Sequence, residues 1–398
     1  MRISRHWLMR PMRTTPVLEF WKEVSSPPFL SLSNNDKGLN SILFGYEAGF
    51  NLEAASSANS AFGYRALSFN TTGNANTAVG FSALYFNTTG SDNTANGKGA
   101  LQSNSKGEGN TANGSQALVL NTEGSFNTAN GRLALYQNNT GDFNTAGGYK
   151  VLYSNTTGSF NSANGYAALY SNTTGMHNTA TGNQALYSNQ TGSFNAANGY
   201  AALYFNSTGG NNTATGNQAL NENRTGSKNT AIGAFADVMS ANLSNATAIG
   251  YNAKVSRSNK IRLGDANITV IEGQVPFTTT SDRRLKEDIQ TTNLGLDFVN
   301  DLNPVQYHRI NNEGADIELG VIAQELEAVL EKHHATDSGM IHQVDDSYLS
   351  VRYNDLFAPL IKSVQELSAQ NVMLKAELAA QESQMAELKA LILASNAN

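Results

Sequence analysis

Asn-Thr-Ala-x-Gly, or a close variant, begins at Asn59, Asn76, Asn93, Asn110, Asn127, Asn144, Asn161, Asn178, Asn195, Asn212 and Asn229, a period of 17 residues without a slip. Ala246-Thr247-Ala248-Ile249-Gly250 follows in register, making 12 copies, and Asn40-Ser41-Ile42-Leu43-Phe44-Gly45 reads as a degenerate, out-of-phase cap. A fixed period of this length implies stacked units, each contacting only its neighbours. The fullest unit reads N-T-A-x-G-x-x-A-L-Y-x-N-T-T-G-S-x, which suggests two short strand pieces alternating with two turns. Asn-Thr-Thr-Gly supplies side-chain-capped turn chemistry and a residue free to take positive φ. Recurrent Ala, such as Ala163 and Ala168, with one Leu per unit, such as Leu169, predicts closely approaching walls.

Several Gly, Asn and Thr per unit disfavour a helix. Coils joined by parallel ladders satisfy the backbone instead, and at roughly 4.8 Å per coil the array would be a rod on the order of 55 to 60 Å long. A thin coil of small residues buries little, which favours three chains around one axis. The lettering resembles the left-handed parallel β-roll heads of trimeric autotransporter adhesins, and Asn259-Lys260-Ile261-Arg262-Leu263-Gly264 resembles their closing strand. Those heads use a shorter unit, and no β-barrel anchor of their kind follows here.

Tyr136, Tyr153, Tyr170, Tyr187 and Tyr204 recur nine residues after the unit's Asn, as does Tyr85, and Phe126, Phe143, Phe160 and Phe194 form a second series. The tyrosines are candidate surface-binding residues, because an aromatic face suits the apolar face of a sugar. The same rings can instead cover the outer seam of the roll or an inter-chain groove, and strict periodicity favours that alternative.

A net charge of −6 without a basic stripe argues against nucleic acid as a partner. Cysteine is absent, so no disulfide or Cys-based metal site forms, and no cofactor or metal is expected. His333, His334 and His342 lack ligand spacing and read as solvated loop, and Asp345 and Asp346 as a turn. Residues 1–40 are basic at their start but lack an apolar h-region, and they read as an attachment segment. No stretch is long and apolar enough to insert in a membrane.

After residue 264 the composition changes, with 265–280 as a linker. Ser281-Asp282-x-Arg284-Leu285-Lys286-x-Asp288-Ile289 opens a region continued by Leu294-Gly295-Leu296, Pro304-Val305-Gln306-Tyr307, Leu319-Gly320-Val321-Ile322-Ala323-Gln324 and Tyr353-Asn354-Asp355-Leu356. It resembles the intramolecular chaperone of endosialidases and phage tail spikes, a small α+β domain over 281–355. The resemblance implies trimerisation followed by one cut at Thr280-Ser281, with Ser281 as nucleophile and Lys286 as base. Burial or neighbouring cations, with Arg283 and Arg284 nearest in sequence, would depress the lysine for that role.

Residues 356–398 carry a heptad pattern. Leu360, Leu367, Leu374, Gln381 and Leu388 fall on d, and Val364, Asn371, Leu378, Met385 and Ile392 on a, which predicts a trimeric coiled coil with Asn371 as a register device. The whole is mainly β. It reads as a homotrimeric fibre of a phage or phage-like particle, assembled in the cytoplasm and carried on the particle's exterior. The N-terminus would meet the baseplate or tail, and the repeats a host glycan or protein receptor. A bacterial surface adhesin or contractile-injection fibre with the same parts is the alternative. Its only enzymatic act would be on itself. Few carboxylates in the repeats argue against a glycan-degrading spike.

Overall fold

The computed structural model describes residues 40–53, 55–274, 278–308, 310, 317–343 and 348–395. Residues 1–39 of the expected attachment segment 1–40 and the turn expected at Asp345-Asp346 lie outside them. The chain divides into two compact units between Leu263 and Gly264.

The first unit is a parallel β-solenoid. Each repeat contributes one three-residue strand, from Ile42–Phe44 through Ser60–Phe62, Thr77–Val79 and their successors to Ile261–Leu263, in a single 14-stranded sheet. Register advances by 17 residues per coil, as Ser162 pairs with Thr179 and Ala163 with Ala180. The cap at Asn40 is a full coil one residue longer, with Ile42 opposite Ser60. The closing coil is shorter, with Thr247 opposite Ile261.

The second strand expected in each unit is missing from the regular coils, and among the described residues it forms only at the far end, where Asp237–Val238 pairs in parallel with Lys254–Val255. Ala167 and Leu169 both adopt φ of 52, a left-handed conformation that bends the chain at alternate residues and breaks the strand. Coil-to-coil bonding continues without it, because Leu169 N donates to Ala185 O at 2.9 Å and Ser171 N to Tyr187 O at 3.0 Å. With Phe160 at φ 59, a typical coil holds three left-handed non-glycine residues. Each costs roughly 1 to 2 kcal/mol, so the stacked hydrogen bonds and core must outweigh them.

That core corrects a second expectation. The sequence places the Asn of Asn-Thr-Thr-Gly in turn chemistry, yet Asn155, Asn172 and their equivalents are wholly buried, as are Asn144, Asn178 and the rest of the leading series. Asn172 Nδ2 donates to Asn155 Oδ1 at 2.7 Å and to Gly175 O at 3.0 Å. Asn161 Nδ2 donates to Asn144 Oδ1 at 3.1 Å and to the same Gly175 O at 2.9 Å, while its backbone N–H also reaches Asn144 Oδ1 at 3.0 Å. Two asparagine ladders therefore run through the solenoid, bridged in each coil by one glycine carbonyl. A Cβ on Gly175 would lie 2.4 Å from Asn172 Oδ1 and 2.4 Å from Gly192 O, so only glycine fits there.

Ala and Leu ladders fill the remaining interior, for example Ala163, Ala168 and Leu169. Among the described residues no buried side-chain nitrogen or oxygen lacks a partner. The core thus closes within one chain, and the burial deficit invoked above for a trimer does not arise inside the coil.

Both ends are built differently. Ser41 Oγ accepts from Asn59 N at 3.1 Å, and Ser56 Oγ accepts from Asn70 Nδ2 at 2.8 Å, so serines start the two ladders. At the far end Ala246 replaces the leading Asn, donating its N–H to Asn229 Oδ1 at 2.9 Å. Asp237 takes the position of the Leu ladder, buried, with Lys254 Nζ 3.7 Å away and Val238 N–H donating at 2.8 Å. Burial pushes its carboxyl up to about 6.

In the second unit, α1 (Leu296–Asp301) and α2 (Ala323–Lys332) close a small core of Leu294, Phe298, Leu326, Leu330 and Met340. Two antiparallel pairs complete it, Val305–Tyr307 with Glu318–Gly320 and Ile341–Gln343 with Leu349–Val351. The long helix α3 (Phe357–Ser395) packs on α1 near its start.

Replacing Asn172 by Ala strands Asn189 Nδ2 and frees Asn155 Oδ1 in a dry core. At about 1 to 3 kcal/mol per unpaired buried group, Asn172→Ala should lower stability in urea unfolding by roughly 2 to 4 kcal/mol, whereas exposed Asn183→Ala should change it by under about 0.5 kcal/mol. Asp237 holds its proton more tightly folded than unfolded, so its contribution is full below the ordinary carboxylate range and is lost as pH rises to about 6. A shift of this size corresponds to at most roughly 3 kcal/mol, and Asp237→Asn should remove that pH dependence from the thermal melts.

Candidate functional site

Ser281 and Lys286 flank a short 3-10 turn, Arg283–Leu285, capped by Asp282, whose carboxylate accepts from Arg284 N at 2.9 Å. That turn folds the chain so that Lys286 Nζ donates to Ser281 Oγ at 2.7 Å. Arg284 lies instead on Asp282, 2.7 Å away, and its guanidinium holds the Asp282 carboxyl below the usual range. The Arg284 charge is therefore engaged with Asp282, so one of the two arginines expected to act on Lys286 is held elsewhere. Ser281 and Lys286 are both exposed in the single chain.

Thr279, Thr280, Ser281 and Lys286 form one wall of an open cleft of about 710 Å³, and Arg352, Tyr353, Asn354 and Asp355 form the other. Tyr353, Asn354 and Asp355 of this wall belong to the Tyr353-Asn354-Asp355-Leu356 motif, and no sequence signal marks Arg352. Arg352 Nε pairs with Asp355 at 3.2 Å, and Tyr353 Oη accepts from Val321 N at 3.3 Å. A Cβ on Gly320 would meet Tyr353 Oη at 2.3 Å and the Tyr307 ring at 3.4 Å. Burial among these groups pushes the Tyr307 phenol up. The motifs scattered over 304–356 thus converge on one support for the cleft wall.

Gly295 has a similar explanation. Leu296 N donates to Glu366 Oε2 at 2.7 Å, so a residue of α3 caps α1, and a Cβ on Gly295 would lie 2.3 Å from that carboxylate.

Two of the three histidines, His333 and His342, depart from the solvated loop expected of them. His333 ends α2 half-buried, with Nε2 2.6 Å from Asp301 Oδ2 and its ring edge-on to Phe298 at 5.5 Å. Lys332 reaches the same carboxylate at 2.8 Å, and Lys332 and His333 together hold the Asp301 carboxyl below its usual range. His342 lies in the strand Ile341–Gln343, and only His334 is exposed. Among the described residues no cluster could hold a metal ion.

On the solenoid, Tyr136, Tyr153, Tyr170, Tyr187 and Tyr204 stack in one column, with centroids 5.0 to 5.1 Å apart and planes within 6°. Phe126, Phe143, Phe160, His177 and Phe194 form a second stacked column, with centroids 4.9 to 5.1 Å apart and planes within 13°. Ring faces are turned to neighbouring rings, so along the column a sugar would meet only edges and hydroxyls. The stacking supports the repeat, at about 0.5 to 1.5 kcal/mol per pair.

On α3 the a and d side chains lie along a bare helix. Leu360, Val364, Leu367, Leu374, Leu378, Met385, Leu388 and Ile392 are all exposed, as is Gln381, and Asn371 bonds back to Leu367 O at 3.0 Å.

Residues 281–334 match the family model described as the chaperone of endosialidase, a peptidase family, and the match begins at Ser281 itself. No curated protein and no solved structure shows a significant match to the chain. Gly295→Ala should displace Glu366 from the start of α1 and lower the melting stability of the second unit by about 1 kcal/mol, while Glu366→Gln, which retains an acceptor, should cost less.

Proposed function

We propose that this chain is a trimeric fibre of a phage or phage-like particle whose C-terminal unit aligns three chains and then leaves by cutting Thr280-Ser281. The observation that carries the reading is the Lys286 Nζ–Ser281 Oγ hydrogen bond, at the first residue of the chaperone match. In the proposed step the neutral Lys286 amine takes the proton of Ser281 Oγ, and Oγ bonds to the Thr280 carbonyl carbon. The Thr280–Ser281 C–N bond breaks, and the proton passes to the departing amine. Water then cleaves the resulting ester, leaving a Thr280 carboxylate and a free Ser281 hydroxyl. Attacking group and target share one chain, so effective molarity replaces substrate binding and one turnover suffices.

The step needs the Lys286 amine neutral, and taking an ammonium out of water disfavours its charged form. Arg284 is engaged by Asp282, and a neighbouring chain laid over the cleft would supply the burial. This ties cutting to assembly. The exposed a and d residues of α3 support the same assembly, since a parallel trimer would bury them. Prealigning three chains helps a repeat in which every coil offers a near-identical wrong register. Host-surface attachment belongs to the solenoid in this reading, with the segment 1–40 as the attachment to the particle.

Intact-mass measurement on purified wild type should give a fragment ending at Thr280 and a second of 118 residues, Ser281–Asn398. Ser281→Ala and Lys286→Met should leave the chain whole, with cutting slowed by at least about 100-fold. An uncut, folded wild-type chain would sink the self-cleavage.

A further inference from the structure

The sheet's outward face is set by register. Each strand from Ile42–Phe44 to Thr247–Ile249 turns its middle residue inward and its first and third outward, giving two columns down the solenoid, which the closing strand Ile261–Leu263 continues with half-buried Arg262 in the middle. In the third-residue column Phe44, Phe62 and Val79 stand at one end and Ile232, Ile249 and Leu263 at the other. The eight positions between them, Asn96 to Thr215, carry only Asn, Thr or Gly. The first-residue column is Ser, Thr or Ala throughout, closed by Ile42 and Ile261. Neither column holds a charged residue, although charged side chains occur on the other surfaces of the coils, such as Lys106, Glu123, Arg132 and Lys150.

We infer that this strand face is where copies of the chain pack against one another, parallel and in register, and that its apolar ends fix the register. The inference rests on the assembly proposed above and assigns it a surface. Depletion of charge marks the centre of protein interfaces. Fourteen strands at roughly 4.8 Å, about 10 Å across, offer roughly 600 Å² per chain, near the about 800 Å² that each partner gives to a stable interface. Rotation about an axis parallel to the solenoid sets each coil against the same coil of its neighbour. Phe then meets Phe, Ile meets Ile, and the amides and hydroxyls between them meet their own kind.

The ends answer a problem peculiar to repeats. Over the uniform middle, a slip of one coil replaces Asn or Thr by Asn or Thr and changes little. The same slip pushes Phe44 beyond the neighbour's sheet at one end and Leu263 beyond it at the other, exposing apolar surface at both. Register is thereby written where the repeat stops being uniform.

The absence of cysteine makes the test direct. Full-length chains carrying only Val79→Cys or only Ile232→Cys, both at exposed positions, should each form same-residue disulfides on mild oxidation. Asn130→Lys combined with Asn164→Lys should shift the native mass by light scattering toward monomer, while Asn183→Lys, off this face, should not. Links only in a mixture of the Val79→Cys and Ile232→Cys chains would mean antiparallel packing and overturn the inference. An oligomeric wild type whose cysteine variants stay unlinked and react with maleimide would overturn it too, leaving the assembly itself standing. A monomeric wild type would remove the assembly and this face with it.

Discussion

A buried asparagine that donates both amide protons and accepts in return governs the rest of the solenoid. A carboxamide in a dry core is costly unless all its bonding capacity is used, and here the coil above, the coil below and one glycine carbonyl use it. The condition holds only if successive coils superpose at one constant spacing, which is why the period does not slip across the copies between Asn59 and Ala246. Glycine at Gly175 and its equivalents follows directly, because its carbonyl serves both ladders and any Cβ would occupy the space of the amides. The left-handed residues follow as well. A 17-residue loop must return to its starting point with its asparagines pointing inward, and the corners at Phe160, Ala167 and Leu169 accept unfavourable φ to achieve it.

Such a core is indifferent to what the outer positions carry. At the corner before the leading Asn, the same backbone accommodates Asp92, Gly109, Phe126, His177 and Lys228. Surface and interior are therefore decoupled, so aromatic columns can occupy some coils and not others. A solenoid built in this way can vary its surface without altering its core.

Periodicity made the solenoid, its parallel pairing and its Ala and Leu walls legible from sequence, because those follow from spacing and side-chain volume. The asparagines were not placed correctly, because Asn near Gly and Thr signals a turn in most settings. Only the coil-to-coil superposition reveals that the same side chain faces a copy of itself. The second strand failed for a related reason, since Ala-Leu-Tyr has strand lettering but alternate left-handed residues override it. In the second unit the Ser281–Lys286 pair was legible because a short turn spans it. Arg352–Asp355, about seventy residues on, became part of the cleft only through the packing of Tyr353 on Gly320 and Tyr307. His333 was missed because its partner, Asp301, lies 32 residues away.

The central claim is that asparagine side chains, rather than turns or outer contacts, hold the coils together. Hydrogen exchange of the side-chain carboxamides measures this directly, by NMR on chains labelled at asparagine. The ladder amides, Asn144, Asn155, Asn161 and Asn172 among them, should be protected nearly as well as the backbone N–H groups between strands and lose that protection only on global unfolding. If they exchange as freely as exposed Asn183 while the backbone stays protected, the ladders do not support the fold and the account fails.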